Sequence, residues 1–183
     1  MTIPVLESER LLLRGFLPSD AATVQQLAGA FEIADTTTNI PHPYEDGMAE
    51  SWIEHHPTAY KRGVLVPFAI TRKHDSALMG AISLMSIEQG HQAEIGYWIG
   101  KPFWGQGVCS EATQLVVQFA FSSLNLVRLY ARYFSRNPAS GRVLVNAGFV
   151  HEGTRRGHVK KWGILEDSED YGLLRGEWEA SNP

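Results

Sequence analysis

Residues 92–121, "QAEIGYWIGKPFWGQGVCSEATQLVVQFAF", constrain the fold of this chain more than any other stretch. The run 92–100 reads as a strand, and two glycines, Gly105 and Gly107, follow it one residue apart. From 107 to 121, Val108, Ala112, Leu115, Val116 and Phe119 recur at helical spacing. A strand, a glycine loop and a helix start place free backbone N–H groups at the positive end of a helix dipole. Phosphate is the default ligand of such a site; the alternative is that the glycines only turn the chain. The dinucleotide fingerprint G-x-G-x-x-G fails, because Ser110 stands at its third position and no acidic residue closes a following strand at the usual distance. The Gly-Lys-Ser/Thr of a P-loop is absent as well.

The rest of the chain alternates in kind. Residues 10–16 read as a first strand, and Pro18, Ser19 and Asp20 start a helix carrying Val24, Leu27, Ala28 and Phe31. Residues 32–45 read as loop. A short helix is expected near 46–56, with Met48, Trp52 and Ile53 on one face and Pro57 as its stop. Paired strands follow at 65–72 and 77–87, then the strand 92–100. After the helix 107–121 comes a strand at 127–134. Asn137-Pro138 caps a helix that runs through Leu144 and ends at Gly148. Closing strands are expected at 149–156 and 170–176. The order β-α-α-β-β-β-α-β-α-β-β predicts an α/β fold with a mixed sheet and helices on both faces.

A length of 183 residues suits one domain, spanning 1–183. The net charge of −4 argues against a nucleic-acid partner. The single cysteine, Cys109, excludes an internal disulfide and fits a reducing compartment. No signal-peptide pattern or membrane-length apolar run is present, so a cytoplasmic protein with no membrane partner is expected.

The strand 92–100, the loop, the helix, the next strand and "NPASGRVLVNAGF" (137–149) together resemble the GNAT superfamily of acetyl-CoA-dependent N-acetyltransferases. The family signature Q/R-x-x-G-x-G/A falls on Trp104-Gly105-Gln106-Gly107-Val108-Cys109, with Trp104 and Cys109 departing from it. A tryptophan before Gly-x-Gly, "SERLLLRGF" near the start and "YGLLRGEW" near the end are similar to the RimJ/RimL branch, the ribosomal-protein N-terminal acetyltransferases. The resemblance implies a mostly antiparallel mixed sheet, splayed between the fourth and fifth strands. It implies acetyl-CoA as donor and no metal. Amides of Trp104, Gly105, Gln106, Gly107, Val108, Cys109 and Ser110 would cradle the pyrophosphate, and the pantetheine arm would follow Tyr97, Trp98 and Ile99.

Acetyl transfer to an amine needs a base for the amine, polarisation of the thioester carbonyl and a proton for the leaving thiolate. The resemblance implies Glu94 as base; the alternative is a surface carboxylate. The tyrosine that many relatives use as acid is replaced by Leu144. Ser140 and Asn137 are the polar residues left near the expected thiol, with Asn137 also near the cofactor, and Tyr97 and Tyr130 are held in reserve. Cys109, at the phosphate end, is not expected to be a nucleophile, although a helix start is expected to lower its pKa.

The pair His55-His56 is expected on the surface, "EDSED" (166–170) in a turn, and Arg128 and Arg132 in surface salt bridges. The acceptor wall falls in 32–63, which holds His42, Tyr44, Glu45, Trp52 and His55. The acceptor is expected to be a protein N-terminal α-amine, with a small-molecule amine as alternative. A non-catalytic acyl-CoA sensor is the reading from another class. The protein is expected as a monomer or homodimer.

Overall fold

The computed structural model describes residues 2–182. Eight strands form one sheet: β1 (Leu6–Glu7), β2 (Leu11–Arg14), β3 (Leu65–Arg72), β4 (Leu78–Glu88), β5 (Gln92–Ile99), β6 (Arg128–Phe134), β7 (Val150–Lys161) and β8 (Ile164–Leu174). Their spatial order is β1-β2-β3-β4-β5-β6-β8-β7. Every neighbouring pair is antiparallel except β5–β6, which is parallel and joined by a helical crossover. The expected α/β class and mixed sheet are therefore present.

Six helices surround the sheet: α1 (Ala21–Ala28), α2 (Phe31–Thr36), α3 (Met48–Lys61), α4 (Val108–Ser122), α5 (Pro138–Asn146) and α6 (Arg175–Ser181). Strand alternation separates two cores. Phe68, Ile70, Ile82, Leu84 and Ile95 face Val116, Val117 and Ala120 of α4. On the opposite face Ala69 and Leu78 meet Val24 and Ala28 of α1 and Ile53 of α3.

Four expectations are corrected. Residues 31–36 are helical, because Ile33 and Ala34 are buried there. The hydroxyls of Thr36 and Thr37 donate to Glu32 O and Ile33 O, each at 2.8 Å, and close that helix. Pro57 does not stop α3, which continues to Lys61 and ends at Gly63, φ +70°. An internal proline costs about 3 kcal/mol, and each fully buried large side chain returns about 1.5–3 kcal/mol; Ile53 and His56 are both buried on this helix.

The closing strands are longer than expected and form a ribbon that turns at Trp162-Gly163, both at positive φ (48° and 84°). "EDSED" lies inside β8, not in a turn. Its carboxylates are bonded from the side: Glu166 by Arg136, Asp167 by the Gly157 amide, Glu169 by Ser135, His151 and Thr154, and Asp170 Oδ2 by Arg155, with Asp170 Oδ1 left without a partner.

Candidate active site

The parallel pair β5–β6 holds register at Gln92↔Arg128, Ala93↔Leu129 and Glu94↔Tyr130. Beyond Glu94, β5 stays with β4 as far as Ile99, and β6 stays with β8 as far as Phe134. The strands thus open into a fork, and their inner edges carry backbone N–H and C=O groups with no ladder partner. A cavity of about 1030 Å³ fills the fork and runs on beneath α1, α2 and α3. Helices α4 and α5 both begin at its edge, with Gly107, Val108, Cys109 and Ser110 of one, and Asn137, Ala139 and Ser140 of the other, in its lining.

The α4 end is built from backbone. Gly105 and Gly107 stand at φ +73° and +75°, a region L side chains rarely adopt. A Cβ on Gly105 would meet nothing within 4 Å, and one on Gly107 only Arg10 at 3.6 Å. Conformation, not packing, therefore calls for glycine here. Glu111 N–H donates to Gly107 O at 3.1 Å and is the first amide of α4 with a carbonyl one turn behind it; the amides of Val108, Cys109 and Ser110 have none. The Trp104 indole N–H donates to Ile99 O at 2.6 Å and Gln106 Nε2 to Pro102 O at 3.0 Å, so both side chains brace the loop. A carboxylate in the first turn would repel an anion, but Glu111 is neutralised by Arg10 and bonded by Ser8. Burial pushes the Cys109 thiol up to about 12, overriding the expected effect of the helix start.

At the α5 end, the Tyr97 hydroxyl meets Ser140 O and Ser140 Oγ, both at 3.0 Å, bridging β5 to α5 across the fork. Burial holds the Tyr97 phenol far above its ordinary range, so it stays protonated. Asn137 occupies the cap position of α5 but makes no side-chain cap hydrogen bond, contrary to expectation. Leu144 is part of the cavity wall and fully buried. Tyr130 lies outside the cavity, in a separate groove of about 320 Å³ with Arg128 and Glu152. The other tyrosine of β6 is Tyr133. It lines the cavity, and its hydroxyl packs so closely on Gly141 that a Cβ there would lie 2.3 Å from it. The signal for it was the period of two in Leu129, Ala131 and Tyr133, which places all three on the inner face.

Glu94 is the last paired residue before the fork, and Arg132 faces it from β6. The guanidinium donates to Oε2 at 3.0 Å and to Oε1 at 3.1 and 3.3 Å. A carboxylate has about four lone-pair sites, so Glu94 keeps acceptor capacity toward the cavity. Arg128 pairs with Glu152 at 2.6 Å, and the expected salt bridges of both arginines are present. Trp98 points away from α4 and packs with Tyr44 and Trp52 around the second core, so its side chain belongs to the α1–α3 half of the cavity.

That half is assembled from side chains of distant segments. Ile33, Thr36, Thr37, Thr38, Asn39 and Ile40 form a wall opposite Trp98, and Tyr44, Met48 and Trp52 close it above. The β7–β8 tip holds this wall in place: Lys161 Nζ donates to Ile40 O at 2.8 Å and to Thr38 O at 3.3 Å. Trp162 stacks on Phe31 at 5.4 Å, and Arg136 ties Asp35 to Glu166. His55 is on the surface as expected, but His56 is 3% exposed and lines the cavity. Trp52 at 4.4 Å and Phe16 at 5.3 Å pack on its ring.

Among the described residues, no helix is long and apolar enough to cross a membrane. A family model described as "Acetyltransferase (GNAT) domain" matches residues 10–150. The uncharacterized N-acetyltransferase YoaA of Bacillus subtilis (strain 168) is 31% identical over 175 residues, covering 94% of this chain and 97% of that protein. The ribosomal-protein-serine acetyltransferase of Escherichia coli (strain K12) is 33% identical over 112 residues, covering 61% of this chain and 59% of that protein. Among solved structures, the fold is similar to a ribosomal L7/L12 α-N-protein acetyltransferase in complex with coenzyme A. That match has a TM-score of 0.82 at 21% identity and covers 93% of this chain and 98% of that one. It is equally similar to spermidine N-acetyltransferase from Vibrio cholerae in complex with coenzyme A and spermine, with a TM-score of 0.82 at 21% identity, covering 94% and 99%. With a forked sheet, a glycine loop at a helix start and a family match over most of its length, the chain belongs to the GNAT superfamily of N-acetyltransferases and has ribosomal-protein acetyltransferases among its relatives.

Proposed function

We propose that the protein transfers the acetyl group of acetyl-CoA directly to a primary amine, with a protein N-terminal α-amine as the preferred acceptor. The observation that carries this reading is the continuous cavity at the fork, with two helix starts on one side of it and a carboxylate at its branch point. The pyrophosphate is held by the amides of residues 104–110 and the positive end of α4. The pantetheine amides pair with the free edge of β5 between Tyr97 and Ile99, as an added strand would. The thioester then lies between Glu94 and Ser140.

Glu94 attracts the ammonium and takes its proton, directly or through water. The neutral nitrogen attacks the thioester carbon, and collapse of the tetrahedral adduct breaks the C–S bond. The adduct nitrogen still carries one proton too many; Ser140 Oγ takes it while giving its own to the departing thiolate, so the hydroxyl ends unchanged, and Tyr97, still a phenol, orients Ser140 from behind. Asn137, free of a capping bond, is positioned to donate to the cofactor. Cys109 takes no part, since a thiol kept neutral is a poor nucleophile.

The test is a thiol-release assay with acetyl-CoA and a panel of N-terminal peptides and small amines. Release that depends on an amine, with acetyl recovered on nitrogen, is expected. Coenzyme A binding without turnover on any acceptor would identify a sensor, and absence of binding would remove both readings.

A further inference from the structure

Two features of the α1–α3 half of the cavity bear on what enters it. The first is charge. Among the described residues that line the cavity, Glu94 is the only carboxylate, and it already faces Arg132; Arg142 is a second lining cation. A polyamine brings three or four positive charges, and each needs an anionic partner or open water. This chamber has one carboxylate, placed where a single amine must react, and apolar walls of Val24, Ile33, Tyr44, Met48, Trp52 and Trp98. Such a lining rewards burial of a bulky apolar body.

The second feature is His56. His56 is among the residues that line the chamber, it is 97% buried, and neither Nδ1 nor Nε2 has a hydrogen-bond partner. Phe16 and Trp52 offer it only ring faces and edges. A buried polar group left without a partner costs about 1–3 kcal/mol, and native structures rarely carry one without a use. Burial, with His55 adding to it, pushes His56 down to about 4, so at neutral pH the ring is uncharged. It then has one N–H to give and one lone pair to offer.

Resting on the acetyltransferase reading above, we infer that the acceptor is a singly charged amine on a bulky apolar body that carries one neutral hydrogen-bonding group, and that His56 is the partner of that group. A peptide whose first side chain is tyrosine and a free arylalkylamine both present this chemistry. A neutral imidazole fits a phenol because it can accept from the hydroxyl or donate to it. The ring nitrogens are closed to solvent, so the contact needs a rearrangement of the rings packed on His56, those of Trp52 and Phe16.

The experiment is calorimetry on the full chain loaded with coenzyme A, with tyramine, phenethylamine, spermidine, and Tyr-first and Ser-first peptide amides as probes. Tyramine is expected to bind about tenfold or more tightly than phenethylamine, the worth of one buried hydrogen bond. Spermidine is expected to bind weakest, and the Tyr-first peptide to exceed the Ser-first one. In His56→Leu, which removes the unpaired nitrogens and keeps an apolar wall, the tyramine–phenethylamine gap closes while coenzyme A affinity is unchanged. The better of tyramine and the Tyr-first peptide identifies the source of the acceptor.

Tightest binding of spermidine or of the Ser-first peptide would overturn the inference. So would an equal affinity of the wild type for tyramine and phenethylamine, a result that needs no variant. Turnover on amines outside this class, without binding of the apolar probes, would retain the acetyltransferase and remove the inference. Failure to bind coenzyme A would remove both.

Discussion

The two halves of the cavity are built by different means. The half at α4 is made of backbone: two glycines at positive φ, three free amides and the end of a dipole, all within residues 104–110. The half under α1–α3 is made of side chains, and its wall at 36–40 is held by the hairpin tip at 161–162, more than a hundred residues away. A backbone cradle reads any phosphate ester in the same way and tolerates change around it. A side-chain chamber reads one acceptor and is re-specified by any of its contributors. On the proposed reading, donor binding rests on local structure and the choice of acceptor on long-range packing.

Glu94 stands where the halves meet, and Glu94→Gln is the sharpest way to separate chemistry from binding. An α-amine has a pKa near 8 and an alkylamine near 10.4, so both are mostly protonated at neutral pH and need a base. We predict a fall in kcat of about 10²–10⁴, with coenzyme A affinity unchanged by calorimetry. The mutant rate should climb as pH rises, because solvent then deprotonates the amine. If the mutant keeps the wild-type kcat from about pH 6 to 9, Glu94 serves only to hold Arg132 at the fork.

Gly107→Val attacks the cradle alone. Its Cβ meets only Arg10, at 3.6 Å, but a β-branched residue is strained at φ +75° and would crowd an anion approaching the amides. Loss of two charge-assisted hydrogen bonds should cost about 3 kcal/mol, or roughly 150-fold in coenzyme A affinity. Acceptor affinity, measured with bound donor at saturation, should move little. An unchanged coenzyme A affinity in a folded variant would mean that the loop holds something else.

The cradle was legible and the chamber was not, for a physical reason. Glycine pairs, helical periods and helix starts are local signals, and residues 92–121 carry all of them in sequence. The chamber combines residues 24–56 with 131–162, and no local rule places those segments together. On α3, neighbouring residues point in different directions, which correctly exposes His55 but cannot tell which of the pair turns inward; the burial of His56 comes from packing on Trp52 and Phe16. The hairpin was missed because its turn is Trp162-Gly163, where Asn-Gly or Asp-Gly is the recognisable signal. The type and place of Asn137 predict a cap, and only the fold shows that its side chain makes no capping hydrogen bond.

Lys161→Met tests whether the remote strap matters to the chamber. Methionine keeps the buried stem and removes the ammonium that bonds Ile40 O and Thr38 O. Losing a hydrogen bond of this kind is worth about 1–1.5 kcal/mol, so acceptor KM should rise about tenfold. Coenzyme A affinity should stay at the wild-type value, since the strap does not touch the cradle. Equal loss of donor and acceptor binding would show that the two halves are not independent.

Cys109 gives the smallest expected effect on turnover and checks the cradle from inside. Its thiol is held up at about 12 by burial, though it sits in the first turn of α4. An ordinary thiol near 8.5 is about one quarter thiolate at pH 8, whereas one near 12 is about one part in ten thousand. Alkylation of the free protein should therefore be slower than that of a model thiol by about three orders of magnitude. Its rate should still be rising with pH at the highest pH the fold survives, and bound coenzyme A should slow it further. Because a protonated sulfur has no step to perform, Cys109→Ala should keep kcat within about threefold. Rapid alkylation near pH 7 would mean that the dipole outweighs burial and that the first turn is open to water. A loss of several hundredfold in the alanine variant, with acetyl trapped on the wild-type sulfur, would replace direct transfer by an acetyl-enzyme.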